Sequence, residues 1–199
     1  MNKKTLVVMG NGPSLKDVDF SMLDGVDTFG LNSAYRAYPR LNWWPTYHGC
    51  FDYRVTDNHK DSFVKLIEQG KIKRHFYIRN LSNNDRFTYI NLLPYCLGYK
   101  KIILLGVDCN YVEFVDGCKK DGPGGLVMEK TPNKNPNYWF DDYQQKGDEY
   151  NVPAGLSFHM PTWNKLAYRA AHADVEMINC SPITTLRCFK RASLKETLK

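Results

Sequence analysis

The sequence predicts an α/β fold: a single Rossmann-like domain with a mostly parallel sheet and a lid-like insertion. Three observations carry that expectation. The apolar runs Thr5 to Met9 and Lys101 to Val107 are continuous, the pattern of strands covered on both faces. Segments with helical spacing alternate with such runs, which favours parallel strands joined by helices. The chain has 199 residues, enough for one well-buried core and short for two domains.

Taken in order, Thr5 to Met9 is a first strand, closed at once by Gly10-Asn11-Gly12-Pro13. At five residues it is also too short for the apolar core of a signal peptide. Val26 to Leu31 is a second strand, and Pro45 to Phe51 an aromatic-rich third near an edge. Asn58 to Gly70 carries Phe63, Leu66 and Ile67 at helical spacing, with Gly70 as a stop. Arg74 to Ile78 is a short strand. Asp85 to Leu97 has one apolar helical face, with Pro94 predicting a kink. Lys101 to Val107 is the strongest buried strand. Residues 112–150 form a lid-like insertion with a Gly-Pro-Gly-Gly run at 122–125 and an aromatic and acidic cluster at Tyr138 to Tyr143. Pro161 to Ala173 is a helix, Val175 to Ile178 a strand, and 187–199 a basic C-terminal tail.

The formal net charge of +6 suits anionic small molecules such as nucleotides, and its scatter along the chain does not call for nucleic acid. The tail is either a solvated helix or a basic amphipathic segment touching an anionic membrane, with Leu186, Phe189 and Leu194 on its apolar side. No apolar run has the ~20 residues of a membrane-spanning helix. The six cysteines form no C-x-x-C pair and no zinc-finger spacing, as expected of reduced thiols in a cytoplasmic protein.

Ligands of open parallel sheets bind beyond the carboxyl ends of the strands. That edge gathers Gly10, Asn11, Gly12 and Ser14, then Asn32 and Ser33, then Asp108 to Tyr111, then Asn179 to Pro182 with Ser181. Two glycines in the first loop would let backbone N–H groups meet a phosphate, or would only make a tight turn with Ser14 as a helix cap. Asp108 either reaches the ligand or anchors its turn. His159, next to a helix start at Pro161 at this edge, is either a catalytic histidine or a surface or structural one, with His48 near the end of the third strand a distant second. His59, His75 and His172 look like surface or helix residues. Asp141-Asp142 could be a metal-binding pair, but no third acid follows at a clear spacing. Trp43-Trp44 could stack on a base or sugar, pack in the core, or join subunits.

Four stretches carry a resemblance: Val7 to Phe20 with its Gly-Asn-Gly-Pro-Ser, Phe29 to Asn32, Leu97 to Asp108 with its Leu-Gly-Tyr-Lys, and Phe158-His159 followed by Asn179-Cys-Ser-Pro182. Together they resemble bacterial lipooligosaccharide sialyltransferases and the related motility-accessory-type glycosyltransferases and pterin pyrophosphokinases. The resemblance implies a cytoplasmic enzyme of surface glycan biosynthesis. It would move a CMP-activated, sialic acid-like sugar to a glycan acceptor with inversion, using no cofactor and no metal. His159 would be the base, Tyr111 would hydrogen-bond the departing phosphate, and Asn11 and Asn32 would contact the donor. Two departures stand out. Tyr111 lies one position later than the family pattern, and Thr88-Tyr89-Ile90 replaces the family's Thr-Ser-Gly. The alternatives are a pterin-type pyrophosphokinase using ATP and a metal, or a non-catalytic nucleotide- or glycan-binding module. A homo-oligomer is expected only by analogy with the family.

Overall fold

The computed structural model describes residues 4–77, 98–112, 114–152 and 156–199. The expected Asp85 to Leu97 helix, with Pro94, Cys96 and the Thr88-Tyr89-Ile90 site, lies outside the described residues.

The apolar runs pair as predicted. Strands β1 (Thr5–Met9), β2 (Asp27–Leu31), β3 (Tyr47–Cys50), β4 (Arg74–Tyr77), β5 (Lys101–Leu105), β9 (Glu176–Asn179) and β10 (Lys190–Arg191) form one sheet in the order β10-β9-β5-β1-β2-β3-β4. Every pairing in it is parallel. The chain builds outward from β1 through β2 and β3 to β4, then returns to place β5 on the other side of β1. The order therefore reverses between β1 and β5, and their register, Thr5 opposite Lys101 through Met9 opposite Leu105, brings both strands to one edge. Leu6, Val7, Ile103 and Leu105 are at most 1% exposed, which explains why these two strands read as unbroken apolar runs.

The Asn58 to Gly70 pattern forms one helix, α3 (Lys60–Glu68), and a second helix that the pattern does not mark, α2 (Tyr53–Asn58), stands just upstream, separated from it by His59. Asp52 starts α2 by accepting hydrogen bonds from the Arg54 and Val55 amides, a cap placed just upstream of the periodic segment. A short helix, α1 (Tyr38–Leu41), precedes β3. Downstream, α4 runs Leu156–His172 with Pro161 inside it. Pro161 is the sixth residue of this helix, beyond the four N–H groups that a helix start leaves unpaired, so it removes one backbone hydrogen bond there. His159 is consequently a helix residue and not a loop residue ahead of the helix.

The 112–150 insertion is folded. Its strands β6 (Cys118–Lys120), β7 (Gly125–Met128) and β8 (Glu149–Asn151) make a separate antiparallel sheet. Leu126, Met128 and Tyr150 from this sheet share a core with Cys50, Val55 and Phe63 of the main domain. Trp139 packs with Val7, Met9 and Leu105, and its amide donates to the Asn11 carbonyl at 3.3 Å. The tail is neither a solvated helix nor a free amphipathic one. Leu186 is 0% and Phe189 8% exposed, β10 extends the sheet, and Leu194 and Leu198 of the short α5 (Leu194–Thr197) pack on the core. The apolar side that membrane contact requires is turned inward, which removes that reading of the tail. Among the described residues, no helix is long and apolar enough to cross a membrane.

Candidate functional site

The glycines of the first loop pack against the end of β5. The Gly10 amide donates to the Leu105 carbonyl and the Gly12 amide to the Gly106 carbonyl, both at 2.8 Å. A Cβ on Gly10 would collide with the Gly106 carbonyl, and one on Gly12 with the Asp108 carboxylate. Ser14 donates to that carboxylate twice, from its amide at 2.8 Å and its hydroxyl at 2.5 Å. Burial raises the Asp108 carboxyl above its ordinary value, and the two Ser14 hydrogen bonds oppose that rise. Ser181, 1% exposed, accepts from the Val107 amide at 2.9 Å. The expected donor-binding roles of Gly12, Ser14, Asp108 and Ser181 are thus corrected. These residues lock the ends of β1, β5 and β9 together, because their polar groups are already paired within the protein. The glycines are needed for close backbone approach, and the amides of Gly10, Gly12 and Ser14 are not available to a phosphate.

What this lock frames is a cleft of two connecting lobes. The first, about 210 Å³, lies at the switch point, lined by Gly10 and Asn11 after β1, Asn32 after β2, and an apolar floor that includes Leu31, Leu104 and Leu166. Asn11 Nδ2 donates to the Leu31 carbonyl at 3.1 Å, which fixes the orientation of the amide. Its Oδ1 is closed off from solvent and accepts no hydrogen bond from the described protein. Asn32 has φ +54° and so turns sharply out of β2 in the left-handed region. Asparagine accepts that conformation better than most residues do.

The second lobe, about 550 Å³, is lined among others by Ser33, His59, Asp148, Tyr138 and Phe158. Asn32, Tyr111, Tyr138 and His159 belong to both lobes and mark their junction. The His159 and Tyr111 ring centroids are 6.3 Å apart. The loop carrying Tyr111 is pinned by Asn137, which exchanges two 2.7 Å hydrogen bonds with the Val112 backbone. Tyr111 is 43% exposed, and burial raises the Tyr138 phenol. Both phenols keep their protons and remain hydrogen-bond donors at neutral pH. Tyr138 is held in place by stacking on Tyr143, with centroids 3.8 Å apart and planes within 10°.

Three site residues were missed by sequence reasoning. Tyr138 was read only as part of an aromatic cluster. His59, expected at the surface, is 5% exposed, with Nε2 3.0 Å from Asp148 Oδ1 and Nδ1 3.4 Å from Ser33 Oγ. Asp148 is gripped by Arg36 through both carboxylate oxygens, at 2.5 and 2.8 Å. Burial alone would raise the Asp148 carboxyl, but the hydrogen bonds from Arg36 and His59 hold it down to about 2. No short-range signal marks these partners, since 89 residues separate His59 from Asp148.

Other candidates lie elsewhere. His48 is fully buried against His75, with their Nδ1 atoms 3.1 Å apart. Burial, and then the neighbouring imidazole, lower His48 to about 3, and it does not line the cleft. Trp43 packs against Phe20, and Lys71 sits 3.6 Å over the Trp44 ring, at the opposite edge of the sheet. Asp142 pairs with Arg40 and Asp141 accepts from the Asn135 amide, so the two acids are engaged separately. Among the described residues, no three histidines, cysteines or acids are grouped to hold a metal ion.

No family model matches the sequence, and no curated protein matches it. Solved structures match the fold. A structure described as the sialyltransferase CST-II in complex with trisaccharide acceptor and CMP superposes with a TM-score of 0.59 at 16% identity, covering 96% of this chain and 86% of that one. The monofunctional alpha-2,3-sialyltransferase Cst-I from Campylobacter jejuni gives 0.56 at 17%, covering 92% and 78%. A MAf glycosyltransferase from Magnetospirillum magneticum AMB-1 gives 0.52 at 13%, covering 96% of this chain but 34% of that protein. At these identities the likeness is one of fold.

Proposed function

We propose that this protein is a glycosyltransferase that moves a sialic acid-like sugar from a CMP-activated donor to a glycan acceptor, with inversion and without a metal ion. The observation that carries the proposal is a convergence. Asn11, Asn32, Tyr111 and His159, from four separate stretches of chain, meet in one cleft at the switch point of the sheet. The shared fold adds support, since a structure of that fold is described as holding CMP and a trisaccharide acceptor.

The apolar floor of the first lobe suits a planar nucleobase, and Asn11 lines the same lobe with its amide fixed by the Leu31 carbonyl. The Tyr111 and Tyr138 phenols stand at the junction and donate to the leaving phosphate, where negative charge grows as the bond breaks. His159 takes the proton of an acceptor hydroxyl in the second lobe. That oxygen bonds to the anomeric carbon while the carbon–oxygen bond to phosphate breaks on the opposite face. CMP leaves with the bonding electrons, and His159 later returns the proton to solvent.

The test is CMP release from CMP-N-acetylneuraminic acid in EDTA. Turnover should persist in the chelator and fall about 10²–10⁴-fold in His159→Ala at an unchanged melting temperature. Undiminished turnover in that variant would remove His159 from the chemistry. ATP consumption abolished by EDTA would favour a pyrophosphokinase instead.

A further inference from the structure

Arg36, Asp148, His59 and Ser33 form a single chain of hydrogen bonds that ends on the wall of the second lobe. Its polarity is set from the inside. Asp148, held by the Arg36 guanidinium at both oxygens, is ionised and can only accept. His59 Nε2 lies 3.0 Å from Asp148 Oδ1 and 3.4 Å from Arg36 Nη2. A bare Nε2 would oppose its lone pair to the carboxylate at the shorter of these distances. Nε2 therefore carries a proton, and when the ring holds only that one Nδ1 is left bare. Nδ1 faces Ser33 Oγ at 3.4 Å, so the serine hydroxyl donates its one hydrogen to His59. Only the lone pairs of Ser33 Oγ remain for the lobe. The same serine is fixed through its backbone, since its amide donates to the Tyr143 hydroxyl at 3.2 Å.

We infer that Ser33 is an obligate hydrogen-bond acceptor in the second lobe and that this lobe binds a ligand by one of its hydroxyl groups. His59 and Asp148 are positioning residues that set this polarity. The ligand class is a neutral polyol such as a sugar ring. A phosphate or carboxylate oxygen would face lone pairs at Ser33, with Glu149 on the same lobe adding like charge. Identification of that sugar with the glycan acceptor rests on the proposed function. The polarity of the site does not.

The test uses the full chain, labelled with ¹⁵N. Long-range ¹H–¹⁵N spectra at neutral pH should show His59 as the Nε2–H tautomer. The Nδ1–H tautomer would overturn the inference. The methyl glycosides of galactose, glucose and N-acetylglucosamine are then titrated at high concentration, following His59 Nδ1 and the Ser33 amide. At least one should shift both signals. Replacing one of its hydroxyls by fluorine, which cannot donate, should weaken binding about tenfold. In Ser33→Ala that fluoro analogue and its parent should bind alike. No shift with any of the three sugars, or equal affinity of every fluoro analogue for the unaltered protein, would overturn the inference. Failure of CMP release with these signatures intact would sink the transfer reading alone.

Discussion

Asn11 and Ser14 sit three positions apart in one loop and do different work. Ser14 ties the loop to Asp108, with both its polar groups buried in the protein. Asn11 lines the first lobe, where Ser14 does not reach. Ser14→Ala should therefore cost about 1.5–3 kcal/mol, the range for a hydrogen bond to a charged group, and leave CMP affinity near that of the unaltered protein once folded. Asn11→Ala should weaken CMP binding about tenfold. Urea unfolding and calorimetric titration of both variants check the pair, and a Ser14→Ala protein that is fully stable but blind to CMP would reverse the assignment. From sequence, Ser14 reads as a donor contact or a helix cap, and Asn11 as a donor contact through the resemblance. The distinction depends on Asp108, 94 residues from Ser14, so no local pattern contains it.

At the level of elements, β3 and β4 bring His48 and His75 side by side in the parallel register. One Nδ1 donates to the other, so the pair is neutral, and burial lowers His48 to about 3 and His75 to about 4. The unfolded chain takes up these protons near pH 6.5 while the folded one does not. The stability these histidines contribute is complete above about pH 6.5 and is lost as the pH falls toward 4 and then 3. His48 by itself should add a slope of about 1.4 kcal/mol per pH unit in that window. Urea unfolding at pH 7 and pH 5 should show the loss, and His48→Gln should flatten it. An equal pH dependence in that variant would mean that His48 is protonated in the folded protein. Periodicity made β3 and β4 visible in the sequence, but pairing of two histidines is a matter of register, which only the folded sheet supplies.

For the whole molecule, the insertion, the tail and the sheet are packed as one body around the cleft. Trp139 reaches the core beside β1, and Leu186 and Phe189 close the far side. A ligand that seats in the cleft binds only the folded chain and so must raise its melting temperature. CMP is expected to stabilise the protein more than ATP at equal concentration, and the Tyr111→Phe, Tyr138→Phe double variant to lose most of that gain. A larger shift with ATP, measured by thermal unfolding, would overturn the nucleotide assignment.

Much of the architecture is visible in the sequence because it follows from short-range pattern. Buried parallel strands are runs of apolar residues, and ligands gather at their carboxyl ends, which points to the loops holding Asn11, Asn32 and Tyr111, while His159 is reached through the resemblance. The start of α4 ahead of Pro161 and the short helix α2 escape such patterns, because packing overrides local propensity there. The tertiary structure alone decided that Gly12, Ser14, Asp108 and Ser181 are a lock, and that His59, Asp148 and Tyr138 belong to the cleft. The physical reason is the same in each case. A polar group is structural or available to a ligand according to whether a partner from a distant part of the chain has already satisfied it.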